Sequence, residues 1–124
     1  DRLTIDDCEF TGTSDAGTTT AIRLVGGTGI RIRRSNFFGA YTTTVGGIQS
    51  ITTLQTNLLI DGCSITNVTA SSSKAIVLLT GTTGYIRNCH LQVLTGTAPI
   101  TGDAISWAGA NYYAATIGTG SVLI

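Results

Sequence analysis

Four charged residues, Asp6, Arg33, Asp61 and Arg87, each directly follow an isoleucine and recur at intervals of 27, 28 and 26 residues. Two carboxylates in such a series are the minimum equipment for glycoside cleavage, one as general acid and the other as base or nucleophile. If each interval is one turn of a coil, Asp6 and Asp61 stand two strand spacings apart, roughly 9.6 Å, at the edge of the separation used by inverting glycosidases. Arg33 falls between them, however, and a cation there keeps both carboxylates ionised, leaving no acid of raised pKa. The competing reading is a surface ladder of alternating charge that avoids stacking like charges, and Asp7 and Arg34 repeat the pairing one residue later. Asp6 and Asp61 are thus weak catalytic candidates, and Asp15 and Asp103 fall in segments where aspartate ordinarily shapes a turn.

The sulfur chemistry is equally spare. Cys63 and Cys89 take equivalent places in neighbouring repeats, so their Cα atoms, about 4.8 Å apart, lie within reach of a disulfide. The odd number of cysteines and the lack of any CxxC favour three buried, reduced thiols, with Ser35 filling the place between Cys8 and Cys63. A zinc site from Cys63, Cys89 and His90 fails because His90 follows Cys89 directly and points to the opposite face of a strand. His90, the lone histidine, aligns with Glu9, Asn36 and Ser64 on an outward face. Gly26-Gly27-Thr28-Gly29 lacks the lysine and the helix of a phosphate loop and reads as a turn. Asn67-Val68-Thr69 matches a glycosylation sequon, a pattern short enough to arise by chance. No cofactor and no metal is implied.

The elements that must position these residues follow from composition. The chain has 124 residues, room for one domain spanning 1–124. It is 11% charged, has a net charge of zero and contains 16 Gly, 23 Thr and 9 Ser, with a single Pro. Thr, Val and Ile favour a pleated backbone and Gly permits sharp bends, so an all-β chain with many turns is expected. Zero net charge disfavours nucleic acid and anionic membranes as partners, and no apolar run is long enough for a spanning helix. A chain that begins at Asp1 and has no Met reads as a processed product or a piece of a longer polypeptide.

A repeat specifies which all-β chain is meant. The frame Ile-x-x-small-x-apolar begins at Ile5, Ile32, Ile60 and Ile86, and more faintly at Ile117. A second series interleaves with it: Ala21 to Leu24, Gly47 to Ser50, Ala75 to Leu78 and Ala104 to Trp107. Each repeat then forms one turn of a coil, with aliphatic ladders inside: Ile5, Ile32, Ile60, Ile86 and Ile117, and beside them Phe10, Phe37, Ile65, Leu91 and Val122. Loops of varying length fall between the two series, as a solenoid allows. Trp107, in line with Leu24, Ser50 and Leu78, is expected to close the last full coil.

The phrases Gly29-Ile30-Arg31-Ile32-Arg33-Arg34-Ser35-Asn36-Phe37 and Asn57-Leu58-Leu59-Ile60-Asp61-Gly62-Cys63-Ser64-Ile65 resemble the repeat of right-handed parallel β-helices of the pectate-lyase-like superfamily. That superfamily includes polysaccharide lyases, galacturonases and phage tailspikes. The resemblance implies an all-β right-handed parallel β-helix of about four and a half coils, with small side chains where family repeats often carry Asn. It does not by itself choose a function, because one fold hosts enzymes and inert spikes. Thr-rich, Lys-poor β-helices with reduced cysteines resemble bacteriophage modules: tailspikes, fibres or capsid decorations, commonly trimeric. The expectation is a non-enzymatic virion component, assembled in a reducing host cytoplasm, that partners copies of itself and other virion proteins and has a possible glycan ligand. Adjacent Tyr112 and Tyr113 and the apolar Val122, Leu123 and Ile124 are the candidate assembly or binding residues. Part of a polysaccharide lyase or glycoside hydrolase is the alternative, and an extracellular adhesin the third.

Overall fold

A computed structural model describes residues 2–12, 20–41, 46–50, 52–69, 74–94, 99–102, 108–114 and 122–123. The described residues are all strand, turn and irregular chain, with no helix among them. Hence none of them forms a helix long and apolar enough to cross a membrane.

Short strands recur in a fixed order and sort into stacked sheets, parallel in every pair but one. The first sheet holds β1 (Thr4–Asp6), β5 (Arg31–Arg33), β9 (Leu58–Asp61), β12 (Gly84–Arg87) and β15 (Ala108–Gly109). The second holds β2 (Glu9–Gly12), β6 (Asn36–Gly39), β10 (Ser64–Asn67), β13 (His90–Val93), β16 (Tyr112–Ala114) and β17 (Val122–Leu123). The third is β3 (Ile22–Leu24), β7 (Ile48–Ser50), β11 (Ile76–Val77) and β14 (Ile100–Thr101), and β4 (Gly27–Thr28) pairs with β8 (Gln55–Thr56) in a small fourth. Apart from β17, each strand therefore lies beside its counterpart from a neighbouring repeat, and nearly every pairing is non-local.

Register follows the isoleucines. Ile5, Ile32, Ile60 and Ile86 are directly opposed along the first sheet, and the last three are completely buried. Phe10, Phe37, Ile65 and Leu91 do the same in the second sheet, and Ile22, Ile48, Ile76 and Ile100 in the third. Each fully buried aliphatic side chain contributes about 2 kcal/mol, and alternation sends the intervening residues outward. The Phe10 and Phe37 rings stack with centroids 4.7 Å apart and planes 2° from parallel.

The last repeat departs from the sequence frame. Ile86 is opposed by Ala108, only 22 residues on, and Leu91 by Tyr113. Val122, expected in parallel register beyond Leu91, instead runs antiparallel against Tyr113 in the β16–β17 pair. The third-sheet strand is Ile100–Thr101, ahead of the expected Ala104–Trp107. A frame that follows isoleucines skips an alanine, and the shortened repeat brings Ala108 into the row early. Asp15, Asp103, Trp107, Ile117 and Ile124 lie outside the described residues.

Candidate functional site

The residues singled out for chemistry converge on the corner between the first and second sheets. One residue of each repeat turns it in the left-handed region: Asp7 (φ 52°), Arg34 (46°), Gly62 (66°), Asn88 (54°) and Ala110 (54°). Asp and Asn tolerate that region better than most residues, and Gly62 enters it without penalty. Backbone bonds to the next repeat hold the corner. Arg34 N donates to Asp61 O at 3.0 Å and Gly62 N to Arg87 O at 3.1 Å.

Outside the corner stand the charges, in the register Asp6, Arg33, Asp61, Arg87. Arg33 Nη2 donates to Asp6 Oδ2 at 2.7 Å, and Arg34 Nη2 reaches the same oxygen at 2.8 Å. Arg34 also binds Asp7 at 3.2 Å. Arg87 Nε and Nη2 donate to Asp61 Oδ2 at 3.1 and 3.0 Å, while Asn88 Nδ2 donates to Asp61 Oδ1 at 2.8 Å. The Asn88 amide holds the Asp61 carboxyl below the usual carboxylate range against the opposing effect of burial, and Arg87 and the neighbouring Arg33 add to the lowering. An acid stabilised in its ionised form is a poor proton donor. Asp6 and Asp61 thus lie on one ridge, separated by Arg33, with donors on Oδ2 of Asp6 and on both oxygens of Asp61.

Inside the corner runs a row of small polar side chains. Cys8 Sγ, Ser35 Oγ, Cys63 Sγ and Cys89 Sγ each donate to the carbonyl two residues earlier, at 3.3, 2.8, 3.7 and 3.2 Å. Cys63 and Cys89 are buried and unbridged, as the sequence led one to expect. Cys8 is exposed instead, because it sits on the outermost of these rungs and only Ser35 stacks beside it. Contact with Cys89 lowers the Cys63 thiol, with burial opposing; the same contact and burial push the Cys89 thiol far up. Asn111 completes the row, fully buried, and the sequence frame missed it. Its Oδ1 accepts from Cys89 N at 2.9 Å and its Nδ2 donates to Ile86 O at 3.1 Å. The available signal was the asparagine three residues after the alanine that replaces an isoleucine.

Elsewhere, Glu9, Asn36, Ser64 and His90 form the expected outward row, and Tyr112 extends it, with Tyr112 53% exposed. Asn67 of the sequon is completely buried. Its Oδ1 accepts from Tyr41 N and Thr69 N at 3.0 and 3.1 Å, and its Nδ2 donates to Lys74 O at 2.7 Å; it is a structural amide, closed to glycosylation. A cavity of about 370 Å³ is lined by residues that include Glu9, Phe10, Gly12, Ala21 and Tyr41. Neither Asp6 nor Asp61 borders it. Among the described residues no group of three or more His, Cys, Asp or Glu side chains gathers as metal ligands do. No protein-family model, curated protein or solved structure matches the chain.

Proposed function

We propose that the chain is a right-handed parallel β-helix of about four and a half coils that serves as a non-enzymatic structural and surface-presenting module. By its likeness to phage spike and decoration repeats, we place it in a virion. The supporting observation is the state of the corner carboxylates: Asp61 takes hydrogen bonds from both Arg87 and Asn88, and Asp6 from both Arg33 and Arg34. These acids are spent on joining one repeat to the next. Short parallel strands stacked through in-register aliphatic rows make a stiff scaffold, in which each repeat leans mainly on its neighbours. The outward row ending in exposed Tyr112, and the β16–β17 pair beside it, are the surfaces through which we expect assembly into a homo-oligomer, a trimer, and contact with other virion proteins. Buried thiols at Cys63 and Cys89 accord with folding in a reducing cytoplasm.

Light scattering of the purified chain tests assembly, and a panel of acidic and neutral polysaccharides tests turnover. The proposal expects a discrete oligomer and no released reducing ends or unsaturated products. A monodisperse monomer that cleaves one of these glycans, and loses that activity on Asp61→Asn, would establish the polysaccharide-cleaving alternative.

A further inference from the structure

We propose that Cys63 and Cys89 form a peroxide-sensitive dithiol, reduced at rest, that closes into a disulfide stapling two successive repeats. The geometry carries this. His90 N donates to Cys63 O at 2.9 Å, and Ser64 opposes His90 in register, so the two cysteines are directly stacked at the head of neighbouring parallel strands. Strand spacing places their Cα atoms about 4.8 Å apart, inside the range a disulfide spans. Both side chains point inward, at 2% and 1% exposure. Cys89 Sγ reaches across to the Ile60 carbonyl of the adjacent repeat at 3.8 Å, which brings it over to the Cys63 side. No other step of the row can close in this way, because Ser35 separates Cys8 from Cys63 and Asn111 follows Cys89.

The chemistry needs a small oxidant, since both side chains are almost wholly buried, and the one proposed is hydrogen peroxide. Cys63 is the thiol that gives up its proton first, because contact with Cys89 lowers it, whereas the same contact and burial push Cys89 up. The Cys63 thiolate attacks one oxygen of hydrogen peroxide, the O–O bond breaks, and the departing hydroxide takes up the released proton as water, leaving a sulfenic acid. Cys89 sulfur then attacks Cys63 sulfur, the S–O bond breaks, and the hydroxyl leaves as water with the Cys89 proton. Two thiols and one peroxide yield one disulfide and two waters, two electrons having passed from sulfur to oxygen. The bond closes a loop running from residue 63 to residue 89, and such a closure raises stability chiefly by restricting the unfolded chain. The inference is independent of the assembly reading.

The test uses the full chain carrying Cys8→Ser, which removes the exposed thiol. Serine suits this row, because Ser35 already makes the same bond to a carbonyl two residues back. The reduced protein is treated with hydrogen peroxide, quenched, unfolded, alkylated and mapped by mass spectrometry. The expected product is one Cys63–Cys89 linked peptide pair, without alkylation, reversed by dithiothreitol, with a Tm at least about 5 °C above that of the reduced protein. Adding Cys63→Ser, or separately Cys89→Ala, should abolish both the linkage and the Tm rise. Recovery of both cysteines as alkylated thiols, or of sulfinic or sulfonic acid at either without a linked pair, would overturn the proposal.

Discussion

Asn111 is bonded to the backbone on both sides of Cys89's corner: its Oδ1 takes the Cys89 N–H at 2.9 Å and its Nδ2 gives a hydrogen bond to Ile86 O at 3.1 Å. One completely buried amide thus does at the last rung what thiols and a hydroxyl do at the others. Replacing it with leucine leaves a buried donor and a buried acceptor unmet. We predict a loss of about 2–4 kcal/mol in denaturant unfolding; a change under about 0.5 kcal/mol would mean these groups are met by other means.

Charge alternation along the corner predicts the effect of Arg33→Asp. The substitution removes the 2.7 Å bond to Asp6 and places three acids at consecutive rungs. Exposed pairs are weak and screened, so the expected cost is about 1 kcal/mol at low salt. Molar salt should shrink it. A Tm that does not move at low salt would speak against this register.

Acid sensitivity should report Asp61. Its folded carboxyl is held below the usual carboxylate range by Asn88, against burial and with help from Arg87. A depressed carboxyl contributes stability that is fully present above its unfolded pKa and is lost as pH falls through the folded value. Stability should therefore decline below about pH 4, and Asp61→Asn should flatten that decline while lowering the plateau at neutral pH. An identical acid profile for the variant and the parent would remove Asp61 from the account.

Thiol reactivity separates the three cysteines. In the native, reduced protein a large alkylating reagent should modify Cys8, which is exposed, and spare Cys63 and Cys89, which are buried; unfolding should make all three react at one rate. Equal native rates at Cys8 and Cys63 would show that the corner opens readily.

Among the described glycines, Gly84 leaves the least room for a side chain. It opposes Leu58 in register, and a Cβ built on it would sit 1.9 Å from Leu58 O at a φ of +141°. Both steric overlap with backbone and an unfavourable φ act against any side chain there. Gly84→Ala should cost more than about 3 kcal/mol. Gly109→Ala, where a Cβ meets nothing within 4 Å, is the matched control and should stay within about 1 kcal/mol of the parent.

The inward rows through Ile5, Ile32, Ile60 and Ile86 and the alternating Asp6, Arg33, Asp61 and Arg87 were legible in the sequence alone. Stacked parallel strands place the same position of every repeat in one column, so a column of isoleucines or of alternating charge is written as a period. Where the period slackens, that signal fails: Ala108 takes an isoleucine's place after a short repeat, and Asn111 enters a row otherwise built from cysteine and serine. The antiparallel seat of Val122 on Tyr113, the exposure of Cys8, the burial of Asn67 and the cavity beside Tyr41 were settled only in three dimensions. Each depends on which strand edges and which buried polar groups remain unmet after the regular rungs have formed. That remainder is a property of the whole stack, to which no local stretch of chain has access.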